Sequence, residues 1–312
     1  MSSDRQTPAA ANLQMGGREW AMLCGLALLW GCSFPFFKVM AGSLPPFTIV
    51  LARVGVAAVV LNLVMLALRR PLPLDPALWG GVVVMGLLNN VISFSLTAYG
   101  IRYIPSGMAS ILNASTPIFT VLAAHLFTRD DRLTPQRAVG VAAGFAGVAV
   151  LMGPSAFENG GGKVLIGQAC SVIGAALAAL AAVYGRRFRD TPPLTAATCQ
   201  LTASTLIALP LALVFERPWT LPPPSLEVWG AILGIAVLST VLAFLLFFRI
   251  LATAGATNLQ LVTFLIPIVS IALGAVMLGE RLPSRAYAGM AVIALGLVLI
   301  DGRPLRWLRR RF

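Results

Sequence analysis

The sequence predicts an all-α polytopic membrane protein, with ten transmembrane helices arranged as two inverted five-helix repeats around a central cavity. Three observations predict it. Of 312 residues, 58% are hydrophobic and 11% charged, where a soluble domain carries about a quarter charged residues. The apolar residues fall into ten runs, each near the ~20 residues that a bilayer-spanning helix needs. The second half also repeats the first. Pro117, Asp131-Arg132-Leu133, Gly140 and Gly147 recur as Pro267, Glu280-Arg281-Leu282, Gly289 and Gly296, offset by 150 at the prolines and 149 at the glycines. Five spans per half is an odd number, so the halves insert with opposite orientation. Many secondary transporters are built this way, with the substrate site where the repeats meet.

The elements follow in order. After a tail at 1–19, the first repeat occupies 20–153. Its first run, 20–38, contains Pro35 and no small-x-small cleavage site, so it reads as a retained span and not a signal peptide. Trp30 lies near its middle, followed by Ser33; the indole N–H needs a partner there. The second span, 46–68, carries Arg53 seven residues past Pro46, ~10 Å along the helix. Arg53 either snorkels to the outer headgroups, or serves as a fixed donor for a carboxylate or cavity mouth, or braces helices; Lys38, ending the first span, shares the ambiguity. The third span, 77–98, holds Asn89, Asn90, Ser93 and Thr97, with Tyr99 at its end. Asn89, Ser93 and Thr97 recur at every fourth position, which predicts one inward face, because buried amides need partners. In the fourth span, 104–127, Asn113, Ser115 and Thr116 precede Pro117, which frees a backbone carbonyl. The fifth, 135–153, carries Gly140-x-x-x-Gly144 and Gly147. Such small residues let helices approach closely, either inside the monomer or at a dimer seam shared with the tenth span.

The second repeat occupies 164–300 and ends in a basic tail, 301–312. Its sixth span, 164–185, spaces Gly174, Ala178 and Ala182 at every fourth position; the seventh, 194–215, brings Gln200, Thr202 and Ser204. The eighth, 227–248, has Gly230, Gly234, Ser239, Thr240, Phe244 and Phe247, and the ninth, 256–279, places Asn258, Gln260 and Thr263 before Pro267; the tenth is 284–300. Helix breaks at Pro117 and Pro267, in corresponding places of the two halves, point to a binding site. The alternative is that both prolines only bend helices, their freed carbonyls capped by neighbouring Ser or Thr.

The charge distribution sets an expected topology. Of 23 Lys and Arg, 16 fall in the segments that share a side with the N-terminus, six fall on the opposite side, and Arg53 completes the count. By the positive-inside rule both termini are expected in the cytoplasm, and the expected location is a bacterial inner membrane. The net charge of +12 then marks contact with anionic lipid and not nucleic acid. Cys24, Cys32, Cys170 and Cys199 all lie in spans without a CxxC pair, so they are expected to pack, not to form a disulfide or a metal site. No cofactor is expected. None of the eleven Asp and Glu lies deep in a span, and His125 is the only histidine, which leaves little for catalysis and disfavours strong proton coupling. Span-end residues such as Asp131 and Glu280 remain able to couple.

Trp30-Gly31-x-Ser33-Phe34, the fourth-span pattern ending in Pro117, and Gly279-Glu280-Arg281-Leu282 with Gly289 and Gly296 resemble the EamA-type branch of the drug/metabolite transporter superfamily, over roughly 20–300 and in both halves. Asp131 stands where the family's first repeat has Glu, and Ala181 where many members have Trp. The resemblance implies ten helices in two inverted repeats, a central cavity, and export of small metabolites, of which amino acids, aromatic ones included, are the best-known class. The expected function is export by alternating access, in facilitated or exchange mode, by a monomer or homodimer. The candidate cavity residues are Trp30, Ser33, Arg53, Asn89, Ser93, Tyr99, Asn113, Thr116, Asn258, Gln260 and Thr263. Alternatives are a nucleoside or drug-like cation carried by proton antiport, a selective channel, or a membrane protein that transports nothing.

Overall fold

In hydrocarbon a run of apolar residues must satisfy its backbone polar groups internally, and a single segment does so only as a helix. The computed structural model describes residues 16–128, 133–153, 162–188 and 190–301, and it is helical at all ten runs. Spans 1 to 5 are Gly17–Ala41, Pro46–Ala67, Pro76–Gly100, Ser106–Phe127 and Pro135–Met152. Spans 6 to 10 are Gly162–Phe188, Pro193–Glu216, Leu226–Leu251, Val262–Leu278 and Ser284–Asp301. Nine have the length and apolarity to cross a bilayer; span 9, with 17 residues, sits at the short limit. No strand occurs among the described residues. Spans 2, 3, 5 and 7 open on a proline, where its missing N–H would have had no helical partner anyway. Asp75, Thr134 and Ser225 cap spans 3, 5 and 8.

The helix packing is that of an inverted repeat. Span 1 packs on spans 8 and 9, and span 6 on spans 3 and 4; span 2 packs on span 8, and span 7 on span 3. Spans 2 and 7, 4 and 9, and 5 and 10 pack on each other. Exchanging each span for its counterpart five places on turns each of these contacts into another of them, as a pseudo-two-fold relation between the repeats requires. Finer marks agree. Spans 3 and 8 both contain a π-helical stretch, Leu87–Ile92 and Gly234–Leu242. A Cβ added at Gly234 would meet the Phe36 ring of span 1 at 2.6 Å, and one at Gly81 of span 3 would meet the Phe188 ring of span 6 at 2.5 Å. The glycine faces of spans 5 and 10 meet within the one chain. A Cβ at Gly140 would lie 2.7 Å from the Gly296 carbonyl, and one at Gly147 would lie 2.9 Å from that of Gly289.

Spans 1 and 4 are interrupted, and the chain also turns just before span 9. Span 1 turns at Cys32, between Gly17–Gly31 and Ser33–Ala41, because Pro35 offers no N–H to the Gly31 carbonyl. Span 4 divides into Ser106–Asn113 and Thr116–Phe127, with Pro117 in the first turn of the second piece. The Asn113 carbonyl that Pro117 leaves without its helical donor accepts from Thr116 Oγ1 at 2.6 Å, so a neighbouring hydroxyl caps it. The corresponding expectation for Pro267 needs correction. Pro267 lies inside the continuous helix Val262–Leu278, and the interruption comes earlier, at Gln260 and Leu261, after Gly255 at φ +79°. Thr263 and Phe264 there donate to Gln260 and Leu261 in tight turns of 3.1 and 3.2 Å. The Thr263 carbonyl faced by the proline ring is thus in the first helical turn, where it can tilt aside.

Candidate substrate-binding site

Arg53 holds the centre of the site. It enters on span 2 seven residues after Pro46 and is 7% exposed, so it is enclosed by the bundle and does not snorkel along its outside. Its Cζ stands 3.9 Å from the centroid of the Phe94 ring of span 3 and 5.2 Å from that of Phe37 of span 1. Cation–π contacts of this kind, when desolvated, contribute ~2 kcal/mol. Nε donates to Thr240 Oγ1 of span 8 at 3.3 Å. No carboxylate among the described residues pairs with the guanidinium, and its two Nη atoms make no hydrogen bond there yet are not sealed from solvent.

A second bridge between the repeats, from span 3 to span 7, is uncharged. Asn90 of span 3 donates through Nδ2 to Ser204 Oγ of span 7 at 2.9 Å; Asn90 corresponds to Thr240 by the 150-residue offset, whereas Pro45-Pro46-x-Thr48 and Pro192-Pro193-x-Thr195 align Arg53 with Gln200. Both bridges depend on the π-helical stretches, because a π turn takes one residue more than an α turn and re-aims the side chains that follow. That extra residue also corrects the expectation of a single Asn89, Ser93, Thr97 face. Asn90 faces span 7, Asn89 donates to Asn90 Oδ1 at 3.1 Å, and Ser93 donates to the Gly174 carbonyl of span 6 at 2.9 Å. Near the middle of the bundle, Cys32 at the span 1 turn lies 3.4 Å from Ser239 Oγ of span 8.

The remaining sequence candidates separate into groups. The Trp30 ring packs 5.7 Å from Phe247 in the apolar cluster of spans 1, 8 and 9. Its N–H, the Asn113 amide and the Thr263 hydroxyl find no hydrogen bond among the described residues, and none is sealed off. Ser33 is buried beside the span 1 turn. Asn258 donates to the Ala254 carbonyl at 3.0 Å. Thr116 is spent on the span 4 break. Tyr99, exposed, packs edge-on against Tyr103, and Gln260 is exposed at the span 9 turn; neither approaches Arg53 through any contact seen. Phe37 and Phe94 escape sequence reasoning, since a phenylalanine in an apolar span carries no mark of its partner. The only available hint is that Phe37 stands two turns beyond Trp30. A groove of about 380 Å³ between spans 2 and 7, lined by Asn62, Thr202 and the exposed Val59, Leu63, Leu66 and Leu206, contains none of these candidates.

Above Arg53, the end of the bundle away from the described chain ends is tied shut. Glu280, after span 9, accepts from the Ser106 N–H at 2.8 Å and its hydroxyl at 2.6 Å at the start of span 4. Glu216, ending span 7, accepts from the Phe47 and Thr48 N–H groups of span 2 at 2.9 and 2.6 Å. Each carboxylate sits on a helix N-terminus of the other repeat, where the dipole favours it. Lys38 donates to the Ile101 and Ile104 carbonyls at 2.7 and 2.9 Å, and Arg102 to the Leu44 carbonyl at 2.7 Å. Spans 3 and 6 touch backbone to backbone at this end, through Gly100 and Gly167.

Comparison with known proteins adds a family. The chain matches the EamA-like transporter family over residues 19–153 and again over 165–301. It is 27% identical over 290 residues to the uncharacterized transporter YvbV of Bacillus subtilis (strain 168), covering 91% of this chain and 92% of that one. It is 26% identical over 282 residues to the uncharacterized inner membrane transporter YedA of Escherichia coli (strain K12), covering 89% of each. One solved crystal structure superposes with a TM-score of 0.63 over 90% of this chain and 97% of its own, at 22% identity, a likeness of fold.

Proposed function

Because the chain belongs to the EamA-like transporter family and is a multi-pass membrane transporter, we propose that it exports small metabolites by alternating access, with amino acids, aromatic ones included, as the leading class. The observation that carries this reading is the pair of bridges between the repeats, Arg53–Thr240 and Asn90–Ser204. They set polar groups from both repeats face to face where spans 2, 3, 7 and 8 cross, the place at which repeat-built carriers bind substrate. Unpartnered polar groups on Trp30, Asn113 and Thr263 support a hydrated cavity beside them. The placement of 16 basic residues against six, and the likeness to an inner membrane transporter, support an inner-membrane location with both termini cytoplasmic. On that topology the tied end faces outward.

Transport proceeds in facilitated or exchange mode. Among the described residues the carboxylates nearest the site, Glu216 and Glu280, sit at span ends and are already engaged by helix N-termini, so neither is a deep proton relay. Purified protein in liposomes, given a panel of amino acids, nucleosides and cationic drugs, will show saturable counterflow of at least one amino acid without a pH gradient. Strict dependence on an imposed proton gradient, abolished by neutralising Asp131 or Glu280, would sink the exchange mode. Absence of any saturable flux across the panel would sink the exporter reading.

A further inference from the structure

We propose that Arg53 is the docking group for a carboxylate on the transported solute, so that this transporter selects small carboxylate-bearing molecules and rejects cations that lack one. The inference rests on the transporter reading above and names its substrate class. A guanidinium cannot shed its charge at physiological pH, and a charge in the membrane interior is costly unless paired or wetted. Every short contact that the described residues offer Arg53 leaves that charge without a counter-ion: two ring faces, Phe94 and Phe37, and one hydroxyl, Thr240. What remains is the outer edge of the fork, two Nη atoms that no group of the described residues engages. A planar pair of donors held between aromatic rings suits bidentate carboxylate binding. The rings fix the plane of the fork, and Thr240 fixes its rotation about that plane.

The broken symmetry of the site points the same way. Asn90 occupies the position related to Thr240, yet it meets the uncharged Ser204 where Thr240 meets the Arg53 guanidinium. The site thus has one charged pole and one amide pole, which gives a bound solute a direction: the carboxylate toward spans 2 and 8, the rest of the solute toward the amide pole at spans 3 and 7. A drug-like cation would bring a second positive charge into a region of low dielectric beside an uncompensated one, where repulsion is poorly screened.

The test is made on wild-type protein in liposomes, and so does not depend on a variant folding. Each solute of the panel that is moved is compared with its carboxamide and with its decarboxylated amine. The expected result is a loss of at least tenfold in transport efficiency for both analogues. In parallel, Arg53→Met is expected to erase the preference for acid over amide, while Arg53→Lys, which keeps a point charge without the fork, retains part of it. Amides or amines moved as well as the acids would overturn the inference and leave the transporter reading standing. The inference falls likewise if Arg53→Met lowers the melting temperature in detergent but leaves the acid preference of the surviving protein unchanged, which marks a brace. Failure to move any solute overturns the transporter reading, and this inference with it.

Discussion

At the scale of single residues, the site combines side chains that sequence can flag with side chains that it cannot. An arginine inside an apolar run stands out in any reading, and so does Trp30 in the middle of span 1. What surrounds them does not. Phe37 and Phe94 turn Arg53 from a lipid-seeking cation into a held one, and Phe247 does the corresponding service for Trp30. If Trp30 and Phe247 wall the cavity, Trp30→Ala will weaken substrate binding by ~1 kcal/mol or more, read as a rise of about fivefold in half-saturation concentration. Unchanged half-saturation would remove Trp30 from the site. Asn113→Ala is expected to lower the transport rate per folded molecule while leaving yield and melting temperature near wild type, because the Asn113 side chain makes no hydrogen bond among the described residues. The opposite ordering, normal rate with lost stability, would assign it to packing.

At the scale of elements, glycine placement and terminal carboxylates govern how the helices meet. Gly147 faces the backbone of span 10 so closely that an added Cβ would lie 2.6 Å from the Ile293 nitrogen. Gly147→Ala therefore forces backbone to move and is expected to destabilise by ~1–3 kcal/mol, whereas Gly230→Ala, with nothing within 4 Å, will be close to neutral. Unfolding in detergent for both variants checks the contrast. Glu280 caps the first turn of span 4 from the other repeat, and losing such a cap costs ~0.5–2 kcal/mol. Glu280→Ala is expected to loosen the tied end, so that a cysteine substituted for Ile104, 1% exposed in the intact protein, becomes reactive to an impermeant maleimide. Protection of that cysteine in the variant would show that Glu280 does not hold the closure.

At the scale of the whole molecule, the inverted repeat makes a prediction about sidedness. In a background lacking the native cysteines, an impermeant reagent applied to intact cells should label a cysteine substituted for Lys163 and spare one substituted for Thr191. These positions start span 6 and precede span 7, on opposite faces of the membrane. The reverse pattern would place the termini outside and contradict the arginine distribution. Each repeat supplies one partner to each central bridge.

The apolar runs and the doubled motifs determined by themselves that this is a ten-span, two-repeat membrane protein, because length and hydrophobicity act on each helix independently of its neighbours. The break in span 4 was equally local, since Pro117 removes its own hydrogen bond wherever the helix goes. The position of the break in span 9 was not. Pro267 looks like Pro117 in sequence, but the turn at Gln260 and Leu261, after the positive-φ Gly255, interrupts the chain before the proline is reached. Nor does α-helical spacing reveal which amide of span 3 faces span 7, because the π-helical stretch advances the register by one residue and brings Asn90, not Asn89, to Ser204. Only the tertiary structure decided that Arg53 has aromatic faces and a hydroxyl but no counter-ion among the described residues. That fact depends on where three other helices place Phe37, Phe94 and Thr240, and no property of span 2 alone contains it.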